Sequence, residues 1–214
     1  MRKICINRGK MLSSLFKKPT LSDVKKELES QHLDISKLNS MIKSVDLKQT
    51  NYNNQSLIHE MCTKNKKEAI VWLVQKGLDI NAEDGSGQTP LFIAIEKKNV
   101  DLVKILLKLK ADVNHLNFYK RTALQECARS GNIEIYDLLS IQAKNKENID
   151  NHGQNIVFDA VISKNEQMIK KILLDRNPSK INFNQKDENN RNFLFSFIKS
   201  EIEDYKLIEE IIFD

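Results

Sequence analysis

Hydrophobic residues along the chain fall into short clusters with helical spacing. Leu91, Ala94 and Ile95 lie three to four positions apart, and so do Leu102, Val103, Leu106 and Leu107. Each set makes one apolar stripe on a helix. A single pair of such helices cannot bury both stripes, so neighbouring pairs must stack. Ala94 and Ala128 are small enough to let the next pair approach closely.

The polar positions between the clusters repeat with a fixed period of 33. Ser56, Thr89, Thr122 and Asn155 are spaced this way, as are Asn54, Gly87, Lys120 and Gly153 two positions earlier. Asp79-Ile80-Asn81 returns as Asp112-Val113-Asn114. The first series supplies helix N-caps, which accept bonds from free backbone N–H groups in the first turn. Pro90 suits that first turn, where its missing N–H costs nothing. Gly87 and Gly153 suit a tight turn with positive φ, and Gly77 suits a left-handed helix end.

Thr89-Pro90-Leu91-Phe92-Ile93-Ala94 resembles the ankyrin signature Thr-Pro-Leu-His-x-Ala. Leu102 to Leu107, followed by Ala111-Asp112-Val113-Asn114, is similar to the rest of that repeat. Looser copies lie on either side, one from Ser56-Leu57-Ile58-His59 to Asn81, the other with Thr122-Ala123-Leu124 and Gly131-Asn132. The resemblance implies an all-α ankyrin-repeat solenoid of helix-turn-helix units joined by short hairpin-like turns.

In that frame the chain divides into a basic arm at 1–20, a degenerate N-terminal capping repeat at 21–50 and four repeats at 51–83, 84–116, 117–149 and 150–186. The last of these has a longer loop around Asn177-Pro178-Ser179-Lys180. In the capping unit, Ser22-Asp23-Val24-Lys25 opens one helix and Asp34-Ile35 through Met41-Ile42 makes a second. A divergent or incomplete C-terminal repeat at 187–214 begins at Asp187, with Asn190 and Asn192 at the turn and capping positions. Its apolar residues, from Phe193 to Ile198 and from Leu207 to Phe213, are too many for a solvated cap. That end is expected to dock to a further domain, a partner or a second copy.

Charge changes this picture only at the N-terminus. Of the 34 basic residues, six (Arg2, Lys3, Arg8, Lys10, Lys17 and Lys18) lie in the first 20 positions, which hold no acidic residue. The remaining 28 face 29 acidic residues, so the net charge of +5 belongs to the arm. The arm reads as a mobile, solvated tail rather than an anchor for nucleic acid or membrane. No apolar run approaches the ~18 residues of a membrane helix. Three separated cysteines, Cys5, Cys62 and Cys127, fit a reducing cytoplasm, either bacterial or that of a host cell receiving a translocated effector.

Candidate chemistry is sparse. His59-Glu60-Met61-Cys62 lacks the second histidine of a metalloprotease helix, and His59 falls where the ankyrin resemblance implies a ring bonded to the adjoining turn. Cys62 and Cys127 fall where small apolar residues pack. Gly85-Ser86-Gly87 lacks the third glycine of a dinucleotide loop. His115 and His152 fall near turn tips, where they are in reach of a partner. No nucleophile and base can be assembled, so no catalysis, cofactor, metal or small-molecule substrate is expected.

The resemblance instead implies a concave face that binds another protein. Its residues here are Tyr52, Asn53, Gln55, Thr63 and Lys64 in the first clear repeat, then Ser86, Gln88, Glu96 and Lys97 in the second. Phe118, Tyr119, Arg121, Arg129 and Ser130 follow in the third, and Asn151, His152 and Gln154 in the fourth. Paired aromatics with Arg121 and Arg129 mark the third repeat as the centre, since aromatics and arginine dominate interface energies. A basic centre of this kind suits an acidic partner surface. The expected function is a protein-binding scaffold. The alternatives are a regulatory segment of a longer enzyme or signalling protein, or a bacterial effector directed at a host.

Overall fold

The structure, a computed structural model, describes residues 18–174, 182, 184–192, 194, 195 and 197. The chain divides into two compact units, Met1–Gln49 and Thr50–Asp214. In the first, helix α1 (Leu21–Leu28) starts on Thr20, whose side chain accepts from the Asp23 N–H in a capping box. Helix α2 (Ile35–Met41) starts on Asp34, which accepts from the Lys37 N–H at 2.9 Å, and runs into a 3-10 turn at Ile42–Ser44. Val24, Leu28 and Leu38 are its buried apolar residues on these helices.

The second unit is built from inner and outer helices in alternation. The inner ones are α3 (Leu57–Thr63), α5 (Pro90–Glu96), α7 (Ala123–Ser130) and α9 (Ile156–Ile162). The outer ones are α4 (Lys67–Gln75), α6 (Val100–Lys108), α8 (Ile133–Ser140) and α10 (Glu166–Leu174). Each inner helix packs on its own outer helix, and α3, α5, α7 and α9 pack on one another in chain order. The stripes predicted from spacing are the buried faces, except that Leu107 is only half-buried. Leu91, Ala94, Ile95, Leu102, Val103 and Leu106 are fully buried, as is Ala128 on α7. No strand occurs among the described residues.

Two left-handed positions in each of the four repeats, and a third in the first two, reverse the chain. One lies in each turn (Asn54, Gly87, Lys120, Gly153, Asn190), one ends each inner helix (Asn65, Lys98, Gly131, Lys164), and Gly77 and Lys110 end outer helices. Gly87 also faces a steric limit. A Cβ there would lie 2.4 Å from the Phe118 ring.

The capping series does not behave uniformly. Thr122 accepts from the Gln125 N–H at 3.1 Å, while Gln125 Oε1 accepts from the Thr122 N–H at 3.1 Å. Thr89, at the same register, makes no side-chain cap, and its Oγ1 is buried with no hydrogen-bond partner. The expected Thr cap is therefore absent from the repeat nearest the consensus, where Pro90 already removes one free N–H. Thr89→Val should leave stability unchanged or raise it, whereas Thr122→Val should cost about 1 kcal/mol. Urea denaturation of the two variants reads the contrast.

Candidate functional site

The turns between repeats share one construction. Asn51, Asp84, Asn117, Asp150 and Asp187 each open a five-residue turn, and each Oδ1 accepts the N–H groups two and four residues on. The side chain thus supplies the bonds that hold the loop, as in an Asx turn. Adjacent turns are joined through backbone: Gly85 N–H donates to Asn53 O at 2.8 Å and Phe118 N–H to Ser86 O at 3.1 Å. Asn151 N–H donates to Tyr119 O at 2.9 Å and Glu188 N–H to His152 O at 2.8 Å. The tips form a continuous ribbon fixed by its own hydrogen bonds. Four of these openers, Asn51, Asp84, Asn117 and Asp150, recur with the period of 33 and are legible in the sequence through it.

Side chains on the inner helices tie the ribbon down. The His59 ring accepts the Ser56 N–H on Nδ1 at 3.2 Å and pairs Nε2 with Gln88 O at 3.1 Å. That arrangement suits the neutral ring, and burial lowers its pKa. Gln125 does the same work two repeats on, donating to Gln154 O at 3.2 Å. His115 is half-buried and bonds Gly87 O at 2.9 Å, so its ring supports a turn instead of facing outward. Cys62 and Cys127 are buried thiols, and burial pushes Cys62 up to about 12 and Cys127 higher still.

Among the predicted surface residues, Tyr52 is 95% exposed. Asn53, Thr63, Lys64, Ser86, Glu96, Lys97, Arg129 and Asn151 are also exposed. Gln55, Gln88, Ser130, His152 and Gln154 are half-buried. Phe118 and Tyr119 remain 62% and 51% exposed, although the Phe118 ring lies against Gly87 and Tyr119 stacks on His152 at 6.2 Å. Asn151 Nδ2 holds Phe118 O at 3.0 Å, and His152 Nδ1 lies 3.0 Å from Glu188.

Arg121 is the correction. It was expected on the surface, but it is 6% exposed and sits at the centre of a buried ion cluster. Its guanidinium donates to Asp150 at 2.7 Å, Asp159 at 2.6 Å and Glu126 at 3.3 Å. Burial works against the cation, but the three carboxylates outweigh it and its pKa is raised. For Asp159 the balance goes the other way. Burial pushes it up to about 6 despite Arg121 and Arg129, and its Oδ2 accepts no hydrogen bond. Arg129 stands 3.6 Å from Asp159 with its side chain 43% exposed.

The expectations for the arm up to Lys17 and for the C-terminal docking segment lie outside the described residues, except that Leu194 is half-buried, Phe195 half exposed and Phe197 buried. The extra loop around Asn177-Pro178-Ser179-Lys180 lies outside them too.

A family model of three ankyrin repeats matches residues 28–117. This chain is an ankyrin-repeat protein. The same turn, cap and helix-pair geometry continues past the matched segment through α7 to α10. The ankyrin repeats are similar to those of a fowlpox virus ankyrin repeat protein, 41% identical over 86 residues, which is 39% of this chain and 20% of the viral protein. They also resemble the human SMC5-SMC6 complex localization factor protein 1, 32% identical over 138 residues (63% of this chain, 12% of that protein). A third relative is the mouse B-cell lymphoma 3 protein homolog, 34% identical over 89 residues (41% and 20%). The chain spans about a tenth to a fifth of the length of these relatives. Ankyrin repeats generally mediate protein–protein interaction, and proteins of the family are typically not catalysts.

Proposed function

We propose that this ankyrin-repeat protein holds another protein on its concave face, with the tip of the third turn as the centre of contact. The supporting observation is that Phe118 and Tyr119 stay more than half exposed on a turn fixed by backbone bonds to both neighbours. Large aromatics on a pre-organised frame lose little conformational entropy when a partner covers them. Arg121 leaves this contact set for the interior, while Arg129, on α7, stays in it. A second reading, repeats serving as the regulatory segment of a longer signalling chain, draws support from the relatives, whose lengths exceed the matched segment about five- to eightfold. Either role suits a reducing cytoplasm, where thiols such as Cys62 and Cys127 persist.

The test compares proteins captured from cell lysate by the wild type and by Phe118→Ala/Tyr119→Ala, with circular dichroism showing equal helicity. A partner captured by the wild type should bind the variant at least about tenfold more weakly. Equal affinity for both proteins would remove the third turn from the contact.

A further inference from the structure

The inner helices end in a row of cations. Lys64 and Lys97 are the C-cap residues of α3 and α5. Lys98 and Lys164 occupy the left-handed position that follows α5 and α9, and Arg129 lies in the last turn of α7. All five are exposed, and Lys97, Lys98 and Lys164 make no ion pair among the described residues. The carboxylates on the same helices are fewer. On the inner helices the other acids are Glu60 and Glu96, since Glu126 is drawn to Arg121 at 3.3 Å and Asp159 is buried. In the first turns of the outer helices that follow, Asp101 and Glu134 pair with Lys67 and Lys104, while Glu68 and Glu166 stay exposed. A cation at each helix C-terminus complements the macrodipole, but that accounts for one per helix, and α5 carries two.

The row runs across the helices. Inner helices pack in chain order, and packed helices stand about 8–10 Å apart. One repeat therefore matches about three residues of an extended peptide, at about 3.3 Å each. Four repeats span about nine or ten residues.

We propose that this row binds an extended acidic segment of a protein partner, with carboxylates recurring about every third residue. The proposal rests on the reading of the concave face as a protein-binding surface, and names the chemistry of what crosses it. The aromatic turn tips lie at the other end of the same helices, about 10 Å away for a helix of seven residues. One partner can therefore place an apolar group on Phe118 and Tyr119 while its acidic strand follows the lysines.

The test uses two synthetic fluorescent peptides of identical composition, measured by anisotropy at low ionic strength. One carries four glutamates at every third position, the other the same four in one block. The spaced peptide should bind the wild type about tenfold more tightly than the block peptide. Lys97→Gln/Lys98→Asn/Lys164→Asn should abolish that preference. Lys108→Gln/Lys110→Asn/Lys144→Asn, an equal charge change that also alters one left-handed lysine, should preserve it. Asparagine is used at left-handed positions because it tolerates them, and equal thermal melting shows that both variants fold.

Equal affinity for the two peptides, equal loss in the two variants, or binding of neither peptide would overturn the proposal. Tighter binding of single-stranded DNA than of the spaced peptide would overturn it as well, giving the row to nucleic acid. The Phe118→Ala/Tyr119→Ala capture experiment is independent of the row, so failure here leaves the aromatic contact standing, and the converse holds.

Discussion

Replacing Arg121 with methionine should destabilise the protein by about 3–5 kcal/mol, more than any surface substitution in the third repeat. Its guanidinium makes the close contacts to Asp150 and Asp159, both fully buried at the side chain. Methionine fills much of the volume but offers no hydrogen, leaving two carboxylates facing each other in a region closed to water. Asp150 has a further task, because its other oxygen holds the fourth turn through the His152 and Gln154 N–H groups at 2.9 Å. Losing Arg121 therefore strikes the third turn, the fourth turn and α9 together. Stability in stacked repeats is approximately a sum of unit and interface terms, so the damage should concentrate between the third and fourth repeats. Urea unfolding followed by circular dichroism should show a lower midpoint and a broadened or split transition. Arg121→Met/Asp159→Leu should recover much of the loss, because an apolar pair avoids the uncompensated charge. A midpoint unchanged from wild type in the single variant would show that water reaches the cluster.

The role of Arg121 explains why the site was only partly legible in the sequence. Spacing alone placed the helices, the buried stripes and the left-handed turns. Gly87 and Gly153 sit at positive φ as their register predicted, and His59 reaches the next turn as the ankyrin pattern implied. The register also places residue 121 beside a turn tip, but it does not say which way the side chain points. That direction depends on Asp159, 38 residues away, where the equivalent position of the second repeat holds Ile93. A buried acid among apolar neighbours on α9 was the available clue, since a carboxylate is rarely fully buried unless paired. The lysine row was missed for another reason. Lys98 and Lys164 were not singled out by the repeat pattern, and it took backbone geometry to show both exposed in the left-handed positions that follow α5 and α9.

Asp159 carries the second large effect, and its sign is opposite to that of an ordinary salt-bridged aspartate. Burial raises its pKa from 3.8 to about 6, so between those values the folded protein binds a proton that the unfolded chain has released. The unfolded state then holds fewer protons, and stability falls as pH rises through this window. A shift of about two units corresponds to about 3 kcal/mol, present below pH 4 and lost by about pH 7. His59 contributes a slope of the opposite sign, because burial lowers its pKa and the folded state resists protonation. Comparison with Asp159→Asn cancels that contribution, since both proteins keep the histidine. The stability of the wild type relative to Asp159→Asn should therefore decline by about 3 kcal/mol between pH 4 and pH 7, as read by urea denaturation at intervals across the range. A difference that stays flat would mean that Arg121, at 2.6 Å, keeps the carboxylate ionised throughout. A difference that rises with pH would mean that the ion pair outweighs burial. The declining course places the cost of the cluster in its third carboxylate. Asp150, Asp159 and Glu126 face Arg121 and, at longer range, Arg129, so one negative charge exceeds the cations present.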